Sequence, residues 1–534
     1  MISELTGPPE ARYVFDTLLE GIGIPSLAQR EDTIRPVTLC HGPLAPVAGK
    51  GIVVQVPAGG KTWTGGEAPR YHLSVDPPSE SPIIRFAEDF IPKAFGCLTG
   101  RGQGDPFSYW QGGQDEEQAF IPPVLAKIQR ALADALRTAF HRLGLPWITI
   151  SPWPEGRPFA LLLSHDVDHI HDREMFRVLS TLNHIRTTLQ GRAPGDLKQS
   201  LRRVARAILS PKPVMQDFAT IRAIEGAHGW RSTFFFLEDR YWARYGGRYR
   251  LDDPAVLRLL AFLRTEGCEA AVHGAYYAFN QAKAYRTAAG NLAAAWGGPA
   301  TGIRNHWLRW NYPHTWRAQE DAGFLYDSTF GYQNAPGFRS GYPFPFRPFD
   351  DSSSRRLRLL ELPLTLMDIT LFHYLRYDLA AALAHAGAIA RSTAEEGGLL
   401  CLLWHNNYFN EPEYHAYEET YRRLLVELDS VRPWCATGRE IAAWWNARAG
   451  VHLETLQADG SGWTGRLSAQ DPITDLQLRV EFPDGSGSLN LEGAHAHMRD
   501  TGAAMVIDFP RLAQDSKVVL RASPARGGIF KADH

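Results

Sequence analysis

The feature that most constrains the fold is a series of short apolar segments between residues 159 and 450, separated by helical patterns. The segments are FALLLS, STFFFL, CEAAVH, TGIR, LLELPL and GLLCLLW, and helical patterns among them cover residues 256–266, 379–396 and 414–428. Strands that are apolar throughout are buried on both faces, and helices between such strands are typical of a parallel sheet. The sequence therefore predicts an α/β barrel or doubly wound sheet, in which chemistry gathers at the carboxyl ends of the strands.

A second α/β region precedes this central pattern, which we place at residues 151–450. Residues 1–150 alternate apolar runs such as GIVVQVP and YHLSV with turn-rich stretches, and a long helical pattern follows Pro123. The helix carries an apolar residue at every fourth position: Val124, Ile128, Leu132, Leu136 and Phe140. Because such a stripe packs on a sheet, we expect an N-terminal accessory α/β domain at residues 1–150.

The last region, residues 451–534, has the pattern of a small β domain. Its short alternating strands are TDLQLRV, SLNLE, AMVIDF and KVVLR, with a turn at Pro483, Asp484 and Gly485. Alternation of apolar and polar residues predicts strands with one buried face. Upstream, Thr437 and Glu440 have the spacing of a capping box, which predicts a helix start there and supports a boundary near residue 450.

Composition narrows the classes of function. The chain has 534 residues with 56 basic and 58 acidic side chains, so it lacks the strong positive charge of a nucleic-acid-binding protein. No stretch approaches the roughly 20 apolar residues that span a bilayer, and the first residues lack the order of a signal peptide. The five cysteines are scattered, without the spacing of a zinc ribbon or disulfide framework. We therefore expect a cytoplasmic protein with no nucleic-acid partner and no transmembrane segment.

One basic helical pattern stands apart at residues 184–212, within an insert of the central domain at about residues 180–213. Its basic residues surround apolar ones such as Leu201 and Ile208, and they are His184, Arg186, Arg192, Lys198, Arg202, Arg203, Arg206 and Lys212. A basic amphipathic helix can make a peripheral contact with an anionic membrane surface. The alternative is a solvated helix face packed on its own domain, which is the commoner case.

The first candidate for chemistry is the segment SHDVD, in which Asp166 and Asp168 stand two residues apart at the end of an apolar strand. Carboxylates in such a buried position need a cation or hydrogen bonds to offset the loss of hydration. One carboxylate would bind a divalent metal and the other would take a proton from a water at that metal. We assign Asp168 as the ligand and Asp166 as the base. The alternative is a helix N-cap or turn that is rich in Asp and His.

Polar groups recur at the ends of the other strands. His273 ends CEAAVH, Arg304 and His306 follow the strand TGIR, and His405 follows GLLCLLW. Because the carboxyl ends of parallel strands meet at one edge, these groups are expected to converge with the two aspartates. A lone histidine at a strand end is usually structural, but the recurrence favours a catalytic site.

The order of these motifs resembles the polysaccharide deacetylase superfamily over residues 159–447. This superfamily is carbohydrate esterase family 4, with the chitooligosaccharide deacetylase homology domain, and one branch of it carries an extra N-terminal α/β domain. The resemblance implies a distorted (β/α) barrel and a divalent metal held by one Asp and two His. It also implies an aspartate base and a histidine acid. The metal is most often zinc, with cobalt, nickel and manganese as alternatives.

The metal ligands carry over with two departures. SHDVD takes the place of the family's adjacent Asp-Asp motif, but Val167 separates the two carboxylates, so the roles of Asp166 and Asp168 could be exchanged. His273 carries over as a ligand, whereas the histidine expected four residues later is Tyr277. A neutral phenol is a poor zinc ligand at pH 7. We place His306 in that role, with a loop histidine that only hydrogen-bonds as the alternative.

The proton-transfer residues carry over more directly. Arg304 resembles the arginine that hydrogen-bonds the base, here Asp166, and holds it charged. His405 in WHNN corresponds to the general acid, which needs a carboxylate to orient it. Asp368 in LPLTLMD is the partner by resemblance, and Asp327 in YDSTFGY is a rival.

The resemblance implies a hydrolase that removes an N-acetyl or other acyl group from an amino sugar, in a glycan or glycan precursor. We expect aromatic and charged residues near the site to contact the carbohydrate, namely Tyr277, Trp307, Arg339 and Trp404. One alternative is a metal-dependent hydrolase of a non-sugar carbon–nitrogen bond. The other is an inactive carbohydrate-binding module, against which the retained proton-transfer set argues because a binding module does not need it.

Overall fold

The computed structural model of the chain describes residues 2–25, 37–42, 51–76, 81–102, 120–170, 185–186, 215–237, 246–247, 249–459, 462–483, 485 and 487–524. The predicted basic helix at 184–212 lies outside these residues, apart from positions 185 and 186. Among the helices of the described residues, none is both long enough and apolar enough to cross a membrane.

The N-terminal region is an α/β unit. Its elements are β1 (Ile2–Thr6), α1 (Pro9–Ile22), β2 (Val37–His41), β3 (Ile52–Val56), β4 (Tyr71–Asp76), β5 (Ser81–Phe86), α2 (Ile91–Thr99) and α3 (Val124–Arg142). The sheet order is β1-β2-β3-β5-β4, with only β4 antiparallel to its neighbour. Four residues of the predicted apolar stripe of α3, from Ile128 to Phe140, are buried. This stripe packs α3 into the core.

The short strand β6 (Trp147–Ile150) and the strand β7 (Ala160–Val167) lead into the central region. The remaining elements are α4 (Met215–Gly226), β8 (Thr233–Phe236), α5 (Pro254–Thr265), β9 (Glu269–Gly274), α6 (Ala282–Trp296), β10 (Gly302–Asn305), α7 (His314–Ala322), β11 (Tyr326–Asp327), β12 (Phe349–Asp350), β13 (Arg355–Arg356), β14 (Leu360–Glu361), β15 (Leu366–Met367), α8 (Leu379–Glu396), β16 (Leu399–Leu403), α9 (His415–Ser430), β17 (Trp434–Cys435) and α10 (Gly438–Ala449). The capping box predicted at Thr437 and Glu440 is present at the start of α10.

The central strands form one curled parallel sheet in the order β14-β11-β10-β9-β8-β7-β16-β15, and β17 also pairs with β7. Each adjacent pair in this order is parallel. All residues of β7 and β16 are buried, as their apolar sequences predict. The predicted α/β class with a distorted (β/α) barrel is confirmed, and the carboxyl ends of its strands share one edge.

The C-terminal region consists of two antiparallel sheets. Its strands are β18 (Val451–Asp459), β19 (Gly462–Ala469), β20 (Ile473–Glu481), β21 (Gly487–Glu492), β22 (His497–Asp500), β23 (Met505–Leu512) and β24 (Lys517–Pro524). One sheet has the order β18-β19-β24-β21, and the other has β22-β23-β20-β6. Strand β6 falls within the predicted N-terminal domain, yet Ile148 pairs with Val480 of β20. Its Trp147, Ile148 and Ile150 are buried, and the Trp147 ring lies 5.6 Å from the ring of Phe140 on α3.

The N-terminal unit and the barrel meet around Glu20 on α1. The Glu20 carboxylate accepts hydrogen bonds from Arg356 and from Trp445 Nε1, the latter at 2.9 Å. Arg448 Nη1 donates to the Glu20 carbonyl at 2.7 Å, and its Nε donates to the carbonyl of Ser151 at 3.0 Å. We call Glu20, Arg356, Trp445 and Arg448 the Glu20 junction. It ties the N-terminal unit to the barrel and to the segment that carries β6.

Candidate metal centre and active site

The carboxyl edge of the parallel sheet collects the residues that the sequence singles out. They lie within or directly after β7, β9, β10, β15 and β16, and they are Asp166, Asp168, His273, Arg304, Asp368, His306 and His405. Register contributes to this convergence, since Arg304 of β10 pairs with His273 of β9. Parallel strands place their carboxyl ends side by side, which is why residues far apart in sequence become neighbours here.

Asp168, His273 and His306 form a group with the spacing of metal ligands. Asp168 Oδ1 lies 3.3 Å from His273 Nε2 and 3.6 Å from His306 Nε2. One ligand atom from each residue lies within 4.8 Å of the others. Two ligand atoms that each lie about 2.1 Å from a tetrahedral ion are separated by about 3.4 Å. The observed separations therefore fit three ligands of one divalent cation.

Two buried atoms of this group have no hydrogen-bond partner, Asp168 Oδ1 and His306 Nδ1. Buried polar atoms are usually satisfied, so an orphaned carboxylate oxygen facing two imidazoles indicates a missing partner. The Nδ1 atom of His273 lies 2.8 Å from the Arg304 carbonyl oxygen. A carbonyl only accepts, so Nδ1 carries the proton and Nε2 is left free to bind a metal.

The charges in the group also suit a cation. Burial raises the pKa of Asp168, but the imidazoles of His306 and His273 outweigh it and hold that pKa well below its usual range. Burial lowers the pKa of His306 to about 4, so its ring is neutral and able to ligate at pH 7. Burial also lowers the pKa of His273, but the charge of Asp166 raises it above its ordinary value. The carboxylates of Asp166 and Asp168 attract a proton to His273, and a bound cation would take the place of that proton.

Asp166 lies beside this group and is held by a buried arginine. Arg304 Nη1 donates to Asp166 Oδ1 at 2.9 Å and to Ser164 Oγ at 2.9 Å. The guanidinium also stacks 4.3 Å from the Phe235 ring centroid. The other oxygen, Asp166 Oδ2, faces His273 Nε2 at 3.5 Å. One carboxylate oxygen is therefore occupied by Arg304 while the other faces the ligand group, an arrangement that favours Asp166 as the base over Asp166 as a ligand.

His405 is oriented by Asp368. The His405 Nδ1–H donates to Asp368 Oδ1 at 2.8 Å, and the His405 backbone N–H donates to Asp368 Oδ2 at 2.7 Å. Burial lowers the pKa of His405, but the charge of Asp368 and this hydrogen bond outweigh it and raise the pKa to about 9. His405 Nε2 points to the ligand group, 3.9 Å from Asp168 Oδ2. A protonated His405 is thus available at neutral pH.

Asp327, the alternative partner of His405, accepts hydrogen bonds from other residues. Its Oδ1 accepts from the backbone and side chain of Thr329, and Asp327 pairs with Glu361 in the register of β11 and β14. The structure therefore selects Asp368, which the sequence left open against Asp327, as the neighbour of His405.

Two of the predicted substrate contacts lie on the surface at this edge. Tyr277 is 61% exposed and Trp307 is 39% exposed. Trp307 directly follows His306 and has φ 61° in the left-handed region, where a non-glycine residue is strained. Gln333 donates to the Trp307 carbonyl, and Tyr374 donates to Gln333 Oε1 at 3.3 Å. Tyr374, which the sequence patterns do not single out, is also 39% exposed.

The other two predicted substrate contacts are buried, which argues against that role. The Arg339 guanidinium lies 4.5 Å from the Phe330 ring centroid and 5.0 Å from that of Trp310, and it donates to the Gly331 carbonyl. The Trp404 ring is fully buried, with its centroid 5.3 Å from that of Tyr421. Residue type suggested sugar binding at both positions, but packing accounts for them.

No family model matches the chain, and no curated protein matches it. Solved structures do match. A protein assigned as a polysaccharide deacetylase from Mycobacterium smegmatis is 17% identical, with 57% of this chain and 96% of that chain covered, at a TM-score of 0.39. A second assigned polysaccharide deacetylase, from Pseudomonas aeruginosa PAO1, is 15% identical over 55% of this chain and 94% of its own, at a TM-score of 0.37.

A pseudoenzyme of carbohydrate esterase family 4 from Bacillus anthracis also matches, at 10% identity over 53% of this chain and 65% of its own, with a TM-score of 0.29.

Proposed function

We propose that this chain, which is similar in structure to polysaccharide deacetylases, is a metal-dependent hydrolase that removes an N-acetyl or other acyl group from an amino sugar. One observation carries the proposal. A group with metal-ligand spacing, a carboxylate held by a buried arginine and an imidazole held by a carboxylate face one another at one edge of the sheet. Together they supply the parts needed for metal-assisted hydrolysis of an amide.

Asp168, His273 and His306 are proposed to hold the cation. One carboxylate and two imidazoles suit zinc, with cobalt, nickel and manganese as alternatives. The orphaned Asp168 Oδ1 and the free Nε2 of His273 support this assignment. When bound, such a cation polarises the acyl carbonyl and makes a water more acidic.

Asp166 is proposed as the general base. Its Oδ2 faces the ligand group at 3.5 Å from His273 Nε2, where it can accept a proton from the attacking water. Arg304 donates to the other oxygen and is itself fully buried, so its charge favours the ionised form of Asp166. Arg304 Nε also donates to the Ser328 carbonyl at 2.9 Å, which fixes the direction of the guanidinium.

His405 is proposed as the general acid. Its protonated ring would give the Nε2 proton to the departing amine, which makes the amine a better leaving group. Asp368 holds the ring by two contacts, one to Nδ1 and one to the His405 backbone. Because both oxygens of Asp368 are used, the ring has one orientation relative to the ligand group.

The proposed substrate is a carbohydrate, either a glycan or a glycan precursor. Tyr277, Trp307 and Tyr374 present exposed aromatic rings at the edge where the site opens, and pyranose rings pack on such flat apolar faces. The five cysteines are unpaired, which supports the proposal of a reducing, cytoplasmic location and hence of a precursor as the substrate.

The test compares two aspartates that each face a histidine, the half-buried Asp168 and the buried Asp89. Asp168→Asn removes a proposed ligand, whereas Asp89→Asn changes a buried carboxylate that lies 3.1 Å from His41 in the N-terminal unit. Metal content would be measured by elemental analysis after loading with zinc and dialysis, and acetate release from N-acetylglucosamine oligomers would be followed.

We expect about one zinc per chain and acetate release in the wild type and in Asp89→Asn. We expect neither in Asp168→Asn. A wild type that holds no metal after loading, or an Asp168→Asn variant that retains it, would contradict the proposal. Metal binding without acetate release from any N-acetylated sugar would contradict the substrate class.

A further inference from the structure

His165 lies between Ser164 and Asp166 in β7, and the proposed chemistry does not use it. Successive side chains of a strand point to opposite faces, so His165 points away from the ligand group and toward the helix layer. It is fully buried, and its ring stacks on Phe234 at 4.7 Å between centroids. A buried imidazole in this position has to satisfy both of its nitrogens.

Both nitrogens of His165 face atoms that accept hydrogen bonds. Nδ1 lies 2.7 Å from the Trp404 carbonyl oxygen, and Nε2 lies 2.8 Å from Glu225 Oε1 on α4. A carbonyl oxygen and a carboxylate oxygen accept but do not donate. Nδ1 therefore carries a proton, which it donates to the Trp404 carbonyl.

The surroundings of Glu225 support its ionised form. Oε1 accepts from His165 and from Tyr421 at 2.7 Å, and Oε2 accepts from Ser232 at 2.7 Å and from Arg222. Four donors occupy the four acceptor positions of the carboxylate, which leaves no position for a proton. Burial raises the pKa of Glu225, but the charges of His165 and Arg222 and their hydrogen bonds outweigh it and hold the pKa below its ordinary value.

His165 also lies where two strands that carry site residues separate. The last register pair between β16 and β7 is Leu403 with Ser164. Beyond it, the Trp404 N–H donates to the Ser164 carbonyl at 3.0 Å, and the His165 ring donates to the Trp404 carbonyl. The next residues along the two strands are Asp166 and His405.

We propose that His165 is a positioning residue, whose Nδ1–H ties the Trp404 carbonyl of the β16 strand end to β7 while its Nε2 faces Glu225. It thereby sets how far His405, after β16, lies from Asp166 and Asp168 at the end of β7. The separation now observed between His405 Nε2 and Asp168 Oδ2 is 3.9 Å. The inference rests on the proposed function, because it assigns His165 to the geometry of that same site.

A matched pair of variants separates the two hydrogen bonds of His165. In His165→Asn, the amide nitrogen can take the place of Nδ1 and keep the bond to the Trp404 carbonyl. In His165→Gln, it can take the place of Nε2 and keep the bond to Glu225 while the Trp404 bond is lost. Each variant would be characterised by Co²⁺ affinity, by the visible spectrum of the Co²⁺ form and by kcat and KM for acetate release.

We expect His165→Gln to bind Co²⁺ about tenfold more weakly or worse, as is typical when an outer contact of a metal site is removed. We also expect kcat to fall by about 10- to 100-fold with little change in KM, because displaced groups lose their alignment. His165→Asn should stay within about threefold of the wild type in both quantities, since the Trp404 bond is kept. Equal losses in the two variants, or no loss in His165→Gln, would overturn the proposal.

A measurement on the wild type tests the proposal without any variant, so its result does not depend on whether a variant folds. In protein labelled with ¹⁵N-histidine, Nδ1 of His165 should give the resonance of a protonated nitrogen, because the Trp404 carbonyl that it faces only accepts. An unprotonated Nδ1 would overturn the proposal. A wild type that binds no Co²⁺ would instead overturn the proposed function, whatever the state of the His165 ring.

Discussion

The ligand group of Asp168, His273 and His306 and the Glu20 junction both place a partly buried carboxylate among basic side chains, but they differ in how its oxygens are satisfied. At the junction, Arg356 donates to one oxygen of Glu20 and Trp445 donates to the other. In the ligand group, Asp168 Oδ1 has no hydrogen-bond partner although two imidazoles face it.

The difference shows that buried charge alone does not mark a functional site. Burial raises the pKa of Glu20, but Arg356 and Arg347 outweigh it and hold the pKa below its ordinary value, so the junction offsets its own desolvation. Orphaned Asp168 Oδ1 and His306 Nδ1 leave the ligand group incomplete. Both oxygens of Glu20 have donors, whereas the oxygen of Asp168 that faces two imidazoles has none, and an unsatisfied oxygen of this kind calls for a ligand.

The largest expected effect is a loss of kcat when the charge of Asp166 is removed and the proposed metal ligands are kept. Asp166→Asn keeps the shape of the side chain but cannot accept the proton of water. We expect kcat to fall by about 10³-fold, within the usual range for loss of a general base, with zinc content unchanged in elemental analysis. A variant with kcat within a few fold of the wild type would show that Asp166 is not the base.

The second change removes a carboxylate from the junction. Glu20→Ala leaves the half-buried Arg356 without its carboxylate partner, so we expect the free energy of unfolding to fall by about 1.5–3 kcal/mol, as for the loss of a hydrogen bond to a charged group. Urea denaturation followed by tryptophan fluorescence measures it. Glu10→Ala, in the first turn of the same helix, is the control and should change it by no more than about 1 kcal/mol. Equal losses in the two variants would remove the contrast between junction and surface.

A third measurement compares the ligand group with the Glu20 junction by adding zinc, the proposed partner of the ligand group. Free zinc at 100 times its Kd should raise the free energy of unfolding by about 2.7 kcal/mol. We expect this gain in the wild type and in Glu20→Ala, but not in His306→Ala. Thermal denaturation with zinc or with a chelator gives the comparison. A gain that persists in His306→Ala would place the metal elsewhere.

A further site, the buried carboxylate pair Asp327 and Glu361, extends the comparison to the effect of pH on stability. Burial and the neighbouring carboxylate raise the pKa of Glu361, and burial raises that of Asp327 to about 6. The folded state therefore binds protons that the unfolded state releases near pH 4. Stability from this pair is full below about pH 4 and is lost as the pH rises through 6.

Glu361→Gln removes one ionisable group of this pair and should flatten that loss. One proton corresponds to a slope of at most about 1.4 kcal/mol per pH unit, so the change is modest. Urea denaturation between pH 4 and pH 8 would measure it for the wild type and the variant. Identical slopes would mean that the pair does not share a proton in the folded state.

The sequence predicted the position of the site because its signals are local. Asp166, His273, Arg304 and His405 each lie at the end of an apolar strand or just after it, and a parallel sheet brings such ends together. Residue type was a poor guide to exposure, however, since Arg339 and Trp404 are buried. Whether an aromatic ring or guanidinium packs inside or faces a ligand depends on neighbours that are distant in sequence.

Pairing across the chain was also beyond the sequence. Strand β6 joins β20, more than 300 residues away, because its buried apolar residues need a cover that no local pattern identifies. The choice of Asp368 over Asp327 for His405 has the same origin, since both carboxylates follow short apolar segments of similar appearance.

The sequence by itself determined the parallel sheet, the small β domain and the residue types at the strand ends, because apolar periodicity and strand boundaries are encoded within a few neighbouring residues. Only the tertiary structure decided which nitrogens face Asp168, which oxygen stays unsatisfied and which atoms hold His165. Those distances join side chains from different strands and helices, and they depend on sheet curvature and helix packing that involve the whole chain.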